Sequence, residues 1–352
     1  MSLEAKRRVL IVDDSALVRT VLTNILSRHP MLQVIGTAKD PYDARERIKD
    51  LDPDVLTLDV EMPRMDGITF LGKLMKAHPM PVVMLSSLTA KGTSVALDAL
   101  DLGAIDVIGK PTMDQAAGLE AMGAEIAETV YGASMARVSG RRAAAPTAQA
   151  SLAPLAMRAK AGRALIAVGS STGGTEALRQ VFEAIPENLP PIAVVQHMLP
   201  GFTRAFAERL DRTCRARVKV ADDGEPLKSG TVYLAPNDTH LSVGRGGAGL
   251  IALLQGSDRV SRHLPSVDVL FQGVAEACGR HALGVILTGM GDDGARGLLQ
   301  MRQKGAHTIG QDEATCVVYG MPRAAFMRGA VEQQAPLGDI ASRMVTWCQT
   351  EA

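Results

Sequence analysis

The stretch AVGSSTGGTEAL, residues 167–178, could place a serine where it does chemistry. An apolar run ends in small residues and a helical pattern follows, which predicts a strand, a tight turn and a helix. Gly169, Ser171 and Gly173 fit the pattern G-x-S-x-G, in which a serine on a sharp strand-to-helix turn is exposed as a nucleophile. A phosphate-binding loop would need G-x-G-x-x-G or a lysine at its end, and neither is present. A plain tight turn remains the alternative from this stretch alone.

Two further strand ends offer the partners that a serine nucleophile needs. The apolar run PPIAVVQHM delivers His197, and GVILTGMGDDG delivers Asp292 and Asp293. Because the carboxyl ends of parallel strands lie at one edge of a sheet, a hydroxyl, an imidazole base and an orienting carboxylate can meet there. We favour Asp293 over Asp292 as the carboxylate, although spacing alone leaves both open. Other histidines that could supply the base are His240, His263, His281 and His307.

A second group of polar residues follows the strands predicted near the N-terminus. In chain order these residues are Asp13 and Asp14, Asp59, Ser86, and Lys110. Converging carboxylates repel one another and require a cation, and Mg²⁺ suits a small set of carboxylates. Asp59 would then accept a phosphoryl group, while Lys110 and Ser86 bind its oxygens. The alternative is that Asp13 and Asp14 cap the next helix and Asp59 starts a turn.

Two α/β domains are expected to position these residues. Over residues 7–125 a strand-like run and an amphipathic helix alternate five times, which predicts a parallel, doubly wound sheet. Residues 126–162 are rich in Ala, Ser, Arg and Pro and are predicted to be a linker. The pattern resumes over residues 163–350, which predicts a second doubly wound domain with a mostly parallel sheet. Its short segments GTVYLAP and AGLIALLQ are interpreted as an antiparallel insertion.

The composition excludes several classes of protein. Lys and Arg number 38 and Asp and Glu number 38, so a net charge of zero gives no basis for binding nucleic acid or an anionic membrane. The N-terminus has no apolar segment of the signal-peptide kind, and no apolar run reaches the roughly 18 residues of a membrane span. We therefore expect a cytoplasmic protein without direct membrane insertion.

The first domain resembles the receiver domain of two-component response regulators. The motifs VDDS, LDVEMPRMDG, SS and KP carry this resemblance. It implies a flavodoxin-like sheet of strand order 2-1-3-4-5, which places Asp13, Asp14 and Asp59 together at the switch point. One departure is Val107, where many receivers carry an aromatic residue, so an aromatic switch is not assumed here.

The second domain resembles the catalytic domain of the chemotaxis protein-glutamate methylesterases, the CheB family. The motifs that carry this resemblance are GSSTGGTEAL, QHMLPGFTRAFAERL, YLAPNDTHL, HLPSVDVLF, LTGMGDDGARGL and CVVYGMPRAA. A receiver fused by a linker to this domain is the architecture of that family. The chain departs from it at Leu264, where the family often has arginine, and at Asn237 and Thr239, in a segment where the family often has glycine and a basic residue. These departures bear on substrate preference.

The resemblance implies a role for each matching residue of the second domain. Ser171 would be the nucleophile, His197 the general base and then acid, and Asp293 the partner that orients the imidazole. Thr172, beside the nucleophile, would adjust the hydrogen bonding of the histidine. The backbone N–H of Met290 would help to form an oxyanion hole.

The resemblance also implies an activity and partners. The activity is hydrolysis of glutamate γ-methyl esters on methyl-accepting chemoreceptors and deamidation of some receptor glutamines, with Mg²⁺ in the receiver and no cofactor for the ester chemistry. A sensor histidine kinase would be the phosphodonor. We expect the unphosphorylated receiver to cover the Ser171 edge and phosphorylation of Asp59 to uncover it. The alternatives are a catalytically silent, phosphorylation-dependent adaptor, an esterase for another ester and, last, a DNA-binding regulator.

Overall fold

The computed structural model of the chain describes residues 5–87, 90–110, 116–136, 164–198, 201–247 and 249–350. The chain divides into two compact units, Met1–Ala144 and Ala145–Ala352, and the boundary between them lies outside the described residues. Each unit contains a parallel sheet, and helices connect most of its strands. Within the described ranges, no helix combines the length and the apolar character that crossing a bilayer requires.

The first unit is a five-stranded parallel sheet. Its strands are β1 (Arg7–Val12), β2 (Leu32–Ala38), β3 (Val55–Asp59), β4 (Val82–Ser86) and β5 (Asp106–Gly109). Its helices are α1 (Ala16–Ser27), α2 (Pro41–Leu51), α3 (Gly67–Ala77), α4 (Ala90–Asp101) and α5 (Ala116–Ser134). The strand order β2-β1-β3-β4-β5 confirms the predicted one. Strands β3 and β4 are buried along their whole length, and for this reason their sequences are continuous apolar runs without alternation.

Helix α5 continues beyond residue 125, where the sequence analysis ended the first domain. It extends to Ser134, and Val130 and Ala133 within this extension are fully buried. Residues 126–134 therefore pack as part of the helix. Residues 137–163, most of the expected linker, lie outside the described residues. The domain boundaries given by the sequence remain a prediction.

The described part of the second unit contains nine strands. They are β6 (Leu165–Ser170), β7 (Ile192–Gln196), β8 (Arg217–Val220), β9 (Thr231–Leu234), β10 (His240–Gly246), β11 (Gly249–Gln255), β12 (Ala282–Ile286), β13 (His307–Gln311) and β14 (Gln333–Ala335). Its helices are α6 (Gly174–Ala184), α7 (Thr203–Thr213), α8 (Val267–Cys278), the 3-10 helix Gly279–His281, α9 (Ala295–Gln303), α10 (Met321–Met327) and α11 (Leu337–Thr350). Seven strands form one sheet in the order β14-β13-β12-β6-β7-β9-β8, and all of its pairs are parallel.

The predicted antiparallel insertion is confirmed for one of its two segments. AGLIALLQ contains β11, which pairs with β10 as an antiparallel hairpin outside the main sheet. GTVYLAP contains β9, and for this segment the prediction is wrong, since β9 is a parallel strand between β7 and β8. The burial of the two segments explains the difference. All four residues of β9 are buried, as in an interior parallel strand, whereas burial partly alternates along β11.

Two glycines let helix α8 approach the sheet closely. A Cβ atom at Gly169 would lie 2.2 Å from a methyl carbon of Val267, the first residue of α8. A Cβ atom at Gly294 would lie 2.5 Å from the same methyl carbon, and Gly294 has a φ of +88° that favours glycine. The N-terminus of α8 consequently lies at the carboxyl edge of the seven-stranded sheet.

Candidate active site

Strand pairing brings Ser171, His197 and the loop of Asp293 to one edge of the second sheet. Strands β6 and β7 pair up to Ser170 and Gln196, and Ser171 and His197 are the next residue of each chain segment. The N–H of His197 donates to the carbonyl oxygen of Ser170 at 3.0 Å, so the two strand ends remain together. Strand β6 also pairs with β12, and Asp293 lies in the loop that follows β12.

The turn that carries Ser171 is held by backbone hydrogen bonds on both sides. The N–H of Ser171 donates to the carbonyl oxygen of Thr288 at 3.0 Å, and the N–H of Gly174 donates to that of Ser171 at 2.7 Å. Gly173 has a φ of +75°, and α6 begins at the next residue. A Cβ atom at Gly289 would lie 2.7 Å from the Cβ of Ser171, so only glycine fits there without displacing the turn. Ser171 therefore lies on a sharp turn between a strand and a helix N-terminus.

His197 and Asp293 form a buried hydrogen-bonded pair. Nε2 of His197 lies 2.9 Å from Oδ2 of Asp293, and their side chains are 7% and 0% exposed. Since an ionised carboxylate can only accept, Nε2 carries the hydrogen and Nδ1 keeps a lone pair. Nδ1 is itself buried and makes no hydrogen bond within the described part of the chain. The pair thus supplies an oriented imidazole with one free basic nitrogen.

The N-terminus of α8 binds the carboxylate of Asp293. Oδ1 accepts from Ser266 Oγ at 2.7 Å and from the N–H of Asp268 at 3.0 Å, and Oδ2 accepts from the N–H of Val267 at 2.7 Å. Burial by itself would raise the pKa of Asp293. The hydrogen bond and charge of His197, with the donors at the helix N-terminus, outweigh burial and lower that pKa below its usual range. Asp293 therefore stays ionised while it orients His197.

The residues that the sequence left open as alternatives lie in other environments. Asp292 is 54% exposed and pairs with Arg328 at 3.4 Å on the surface. His240 is buried, and its Nδ1 accepts from the N–H of Ser266 at 3.0 Å, so it supports the loop before α8. His307 forms a partly exposed ion pair at the amino end of β13. In the described structure, none of these three side chains is hydrogen-bonded to His197 or Asp293.

His263 belongs to the site although the sequence offered it only as an alternative base. Its ring stacks on that of His197, with the ring centroids 3.8 Å apart and the planes 8° from parallel. Val260 and His263 pair across a tight turn whose central residues, Ser261 and Arg262, have φ angles of +52° and +71°. Burial, and then the neighbouring His197, lowers the pKa of His263 well below its usual range. His263 is thus a neutral ring that packs flat against the imidazole of the pair.

Buried polar side chains between the strand ends were also missed. Ser170 Oγ donates to Gln196 Oε1 at 2.6 Å, and Gln196 Nε2 donates to the carbonyl oxygens of Ser171 and His197, each at 2.9 Å. Gln196 therefore links the backbones that carry the two site residues. The signal available in the sequence was a glutamine that ends an otherwise apolar strand.

Thr172 and Met290 lie on the two loops that meet beside Ser171. Thr172 is buried, and its carbonyl oxygen accepts from Thr288 Oγ1 at 3.1 Å. Met290 follows Gly289, and the Cβ position of Gly320 lies 3.2 Å from its Cα atom. The N–H groups of Thr172 and Met290 donate to no protein acceptor in the described structure. Two unbonded amide donors are therefore available close to the serine turn.

The carboxylates of the first unit converge at the carboxyl edge of its own sheet. Asp13, Asp14 and Asp59 each present an oxygen within 4.8 Å of the others, with Asp13 and Asp59 fully buried and Asp14 exposed. Lys110 Nζ lies 2.7 Å from Asp59 Oδ2 and 3.2 Å from Asp13 Oδ2. Ser86 is buried at the end of β4, and its hydroxyl donates to the next backbone carbonyl.

Helix capping does not explain these carboxylates. Helix α1 is capped by Ser15, whose hydroxyl accepts from the N–H of Val18, and α3 is capped by Asp66. Asp13 and Asp59 each use Oδ1 to accept one loop N–H, at 2.9 and 3.1 Å. Their Oδ2 atoms are buried and have no partner other than the ion pairs with Lys110. Both Oδ2 atoms remain available to a ligand.

The electrostatics of this cluster favour an added cation. Burial raises the pKa of Asp59 to about 6, Lys110 opposes that shift, and the charge of Asp13 adds to it. Burial likewise raises the pKa of Asp13 despite Lys110. A divalent ion would offset the repulsion between the two carboxylates. Three carboxylate oxygens are hard donors of the kind that Mg²⁺ prefers, so these residues fit a magnesium ion.

Comparisons with known proteins match both units. Residues 166–344 match the family model described as CheB methylesterase, and residues 9–122 match that of the response regulator receiver domain. The protein-glutamate methylesterase/protein-glutamine glutaminase of Bordetella pertussis (strain Tohama I) is 54% identical over 344 residues, which is 97% of each chain. The protein of the same name from Salmonella typhimurium (strain LT2) is 50% identical over 341 residues, again 97% of each.

A solved structure agrees with these matches. The crystal structure of the Thermotoga maritima CheB methylesterase catalytic domain is 39% identical to the aligned part, with a TM-score of 0.51. The alignment covers 52% of this chain and 97% of that domain. The sheet and helices of the second unit thus have a close structural counterpart.

Proposed function

Because this chain belongs to the CheB methylesterase family and carries a response regulator receiver domain, we propose that it is a phosphorylation-activated protein-glutamate methylesterase and protein-glutamine glutaminase with Ser171 as nucleophile. The relatives that match 97% of the chain carry both activities in their names. One observation carries the assignment of residues. The hydrogen bond between His197 and Asp293 leaves a basic nitrogen free at the strand end next to Ser171.

In the ester reaction, Ser171 Oγ attacks the carbonyl carbon of a glutamate γ-methyl ester. Nδ1 of His197 takes the hydroxyl proton as the new C–O bond forms, and Asp293 stabilises the resulting imidazolium. The tetrahedral intermediate then breaks its bond to the methoxy oxygen, which leaves as methanol with the proton from Nδ1. Water, deprotonated by the same nitrogen, hydrolyses the glutamyl-serine ester and restores Ser171. The same steps on a glutamine release ammonia in place of methanol.

The N–H groups of Thr172 and Met290 supply the oxyanion hole in this proposal. An oxyanion develops where the substrate carbonyl was, and preorganised donors stabilise it more than they stabilise the neutral ester. The N–H of Ser171 cannot serve, because it already donates to Thr288. Each donor of this kind typically lowers the barrier by about 3 kcal/mol. The sequence analysis assigned Met290 this role and gave Thr172 a different one, the adjustment of histidine hydrogen bonding.

In the first unit, Asp59 accepts a phosphoryl group from a sensor histidine kinase. Lys110 lies within ion-pair distance of Asp59 and would bind a phosphoryl oxygen. Ser86, at the end of the neighbouring strand, would donate its hydroxyl to another. Asp13, Asp14 and Asp59 would hold a magnesium ion, which when bound neutralises the carboxylates and accepts a phosphoryl oxygen. The substrates of the second unit are the glutamate esters and glutamines of chemoreceptors.

The experiment that tests this function is methanol release from membranes that contain methylated chemoreceptors. Wild type with a small phosphodonor and Mg²⁺ should release methanol, and Ser171→Ala should release none above background. Ser257→Ala is the matched control, because Ser257 is an exposed serine of the same unit and should keep the wild-type rate. Ammonia release from unmodified receptors measures the glutaminase reaction in the same samples.

Three results would contradict the proposal. Normal methanol release by Ser171→Ala would exclude Ser171 as the nucleophile. Folded wild type that binds the receptors but releases neither methanol nor ammonia would favour the silent adaptor. Release from a small-molecule ester but not from receptors would favour an esterase of other specificity.

A further inference from the structure

A cavity in the second unit lies at the end of the sheet opposite the serine. Its volume is about 390 Å³, and its lining includes Leu283 at the start of β12, His307 at the start of β13 and Gln333 at the start of β14. These strands are parallel, and Ser171, His197 and Asp293 follow the carboxyl ends of their sheet. The cavity at the amino ends of the strands is therefore separate from the active site.

Two buried donors in this cavity have no acceptor. Trp347 is 5% exposed, and its Nε1–H makes no hydrogen bond with any described residue. Arg343 Nε is likewise buried and unbonded, although Nη1 of the same guanidinium donates to Gln333 Oε1 at 2.8 Å. The two residues are four positions apart on α11, so both face the cavity from one side of the helix. Leaving a buried donor unbonded costs about 1–3 kcal/mol, which a ligand with acceptor atoms would recover.

The charges around the cavity favour a ligand with a single negative charge. Arg343 lines the cavity, and its one hydrogen bond to a described residue goes to the neutral amide of Gln333, so no described carboxylate contacts its positive charge. The carboxylate of Glu332 also lines the cavity, but it is 2.9 Å from His307 Nδ1 and already engaged. Glu332 would repel a multiply charged anion such as phosphate more strongly than a singly charged carboxylate, whose charge Arg343 alone can balance. Leu283 and Ile309 give the rest of the wall an apolar character.

We propose that this cavity binds the carboxylate of a small organic acid with an apolar body, held by Arg343 Nε and Trp347 Nε1. One carboxylate oxygen accepts from the guanidinium and the other from the indole, in two roughly parallel N–H···O bonds. The apolar part of the acid contacts the walls made by Leu283, Ile309 and the indole ring. The binding is reversible and includes no covalent step.

Trp347 makes this proposal directly measurable, because it is the only tryptophan in the chain. The full chain is titrated with sodium butyrate, sodium acetate, sodium phosphate and sodium chloride at constant ionic strength, and the tryptophan emission is followed. The single indole N–H signal in a nitrogen-15 correlation spectrum provides an independent reading of the same donor. We expect saturable changes in both signals with butyrate, weaker binding of acetate, and none with chloride.

Variants of Arg343 test the mode of binding. Arg343→Met should weaken butyrate binding by roughly tenfold or more, because it removes a charge-assisted hydrogen bond. Arg343→Lys keeps the charge but lacks the Nε donor, so it should also weaken butyrate binding. This second variant keeps the test possible if Arg343→Met does not fold. Arg212→Met, at an exposed arginine on α7, is the matched control and should bind as wild type does.

Four results would overturn the proposal. The first is that neither butyrate nor acetate gives a saturable change, and the second is that Arg343→Lys binds butyrate as wild type does. The third is that phosphate binds more tightly than butyrate. The fourth is that a carboxylate of the chain itself occupies the cavity. Glu351, which follows α11 in the sequence and lies outside the described residues, is one such carboxylate to test. If Glu351→Gln alone shifted the indole signal and created butyrate binding absent from wild type, the chain's own carboxylate would be the ligand. Methanol release is not measured here, so failure of the proposed function would leave this test intact.

Discussion

At the scale of single residues, the surroundings of Asp293 decide which nitrogen of His197 is free to serve as the proposed base. The carboxylate accepts four hydrogen bonds, from His197 Nε2, Ser266 Oγ and the N–H groups of Val267 and Asp268. These four donors stabilise the ionised form of the Asp293 carboxylate. Because an ionised carboxylate can only accept, the imidazole hydrogen stays on Nε2 of His197. Nδ1 is then basic before any substrate arrives, so orientation costs little during the reaction.

Asp293→Asn should therefore remove most of the activity without unfolding the protein. The amide can present its NH₂ group to Nε2, which would stabilise the tautomer with the hydrogen on Nδ1, the wrong one for a base. We expect kcat for methanol release to fall by about 10⁴-fold, as replacements of this kind do in serine hydrolases. Asp292→Asn is the control, because its carboxylate is exposed and should leave kcat unchanged. Equal losses in the two variants would show that Asp293 has no special role.

His263 should make the second unit less stable in mild acid. Its pKa in the folded protein is lowered from the usual 6.5 by burial and by His197, so below pH 6.5 the unfolded chain binds a proton that the folded one does not. The free energy of unfolding must then fall as pH falls through that range. Denaturant unfolding followed by Trp347 fluorescence at pH 7.5 and 5.5 measures this, since the only tryptophan lies in the second unit. His263→Gln, which cannot titrate, should show a smaller loss between the two pH values, and an equal loss would contradict the assignment.

The sequence could predict the site residues that end strands, and it could not predict those that loops bring to them. Ser171 and His197 directly follow paired strands, and parallel pairing brings them together, whereas Asp293 lies in the loop after β12 and is held by the N-terminus of α8. His263 reaches His197 through a turn with two left-handed residues, neither of them glycine, so no turn signal marked it. Ser266 gave no clue either, because its hydroxyl bonds to Asp293 and not to its own helix.

At the scale of elements, two glycines of helix α3 should respond oppositely to the same change. A Cβ atom at Gly67 would lie 1.9 Å from the carbonyl oxygen of Asp59, so Gly67→Ala must push the helix away from the phosphorylation site. A Cβ atom at Gly72 would meet nothing within 4 Å. We expect Gly72→Ala to stabilise the first unit by about 0.5–1 kcal/mol, because glycine loses more backbone entropy in a helix than alanine.

The measurement that compares them is thermal unfolding together with phosphorylation by a small phosphodonor. Gly67→Ala should lower the melting temperature and slow phosphorylation of Asp59. Gly72→Ala should raise the melting temperature and leave the rate of phosphorylation unchanged. A stabilising effect of Gly67→Ala would mean that the close approach of α3 to β3 is not required.

Element positions were predictable where burial gives long apolar runs, and less so elsewhere. Strands β1, β3 and β4 of the first unit and β6, β7 and β12 of the second are buried over most or all of their length and were predicted. Strand β9 is only four residues long, and no helix separates it from β8 in the chain, so the sequence suggested an antiparallel insertion. The hairpin that the structure contains is formed by β10 and β11. The sequence analysis identified the segment of β11 but not its partner strand β10.

At the scale of the whole molecule, the two units share one arrangement: in each, the proposed functional residues lie at the carboxyl edge of a parallel sheet. One edge carries Asp59 and the other carries Ser171. We expect a small phosphodonor with Mg²⁺ to raise methanol release in wild type and to have no effect on Asp59→Asn. Asp50→Asn, at an exposed carboxylate of α2, is the control and should respond as wild type does. A response of Asp59→Asn to the phosphodonor would contradict the coupling.

A fragment that begins near residue 150 completes this test. It lacks the first unit, and we expect it to be more active than the unphosphorylated full chain and indifferent to phosphodonor. If the fragment and the unphosphorylated chain had equal activities, the unphosphorylated receiver would not inhibit the second unit. The expectation that the receiver covers the Ser171 edge would then be wrong.

The order of strands in the second sheet has a consequence for the synthesis of the chain. Strand β6 is made first, yet one of its two neighbours is β12, which begins only at Ala282. In the first unit β1 pairs with β2 and β3, the next two strands to leave the ribosome, so that unit closes early. The receiver should accordingly resist protease on ribosome-arrested chains before the second unit does. Until β12 emerges, β6 has an open edge and His197 lacks Asp293, so we expect the proposed active site to assemble only after the first unit has folded.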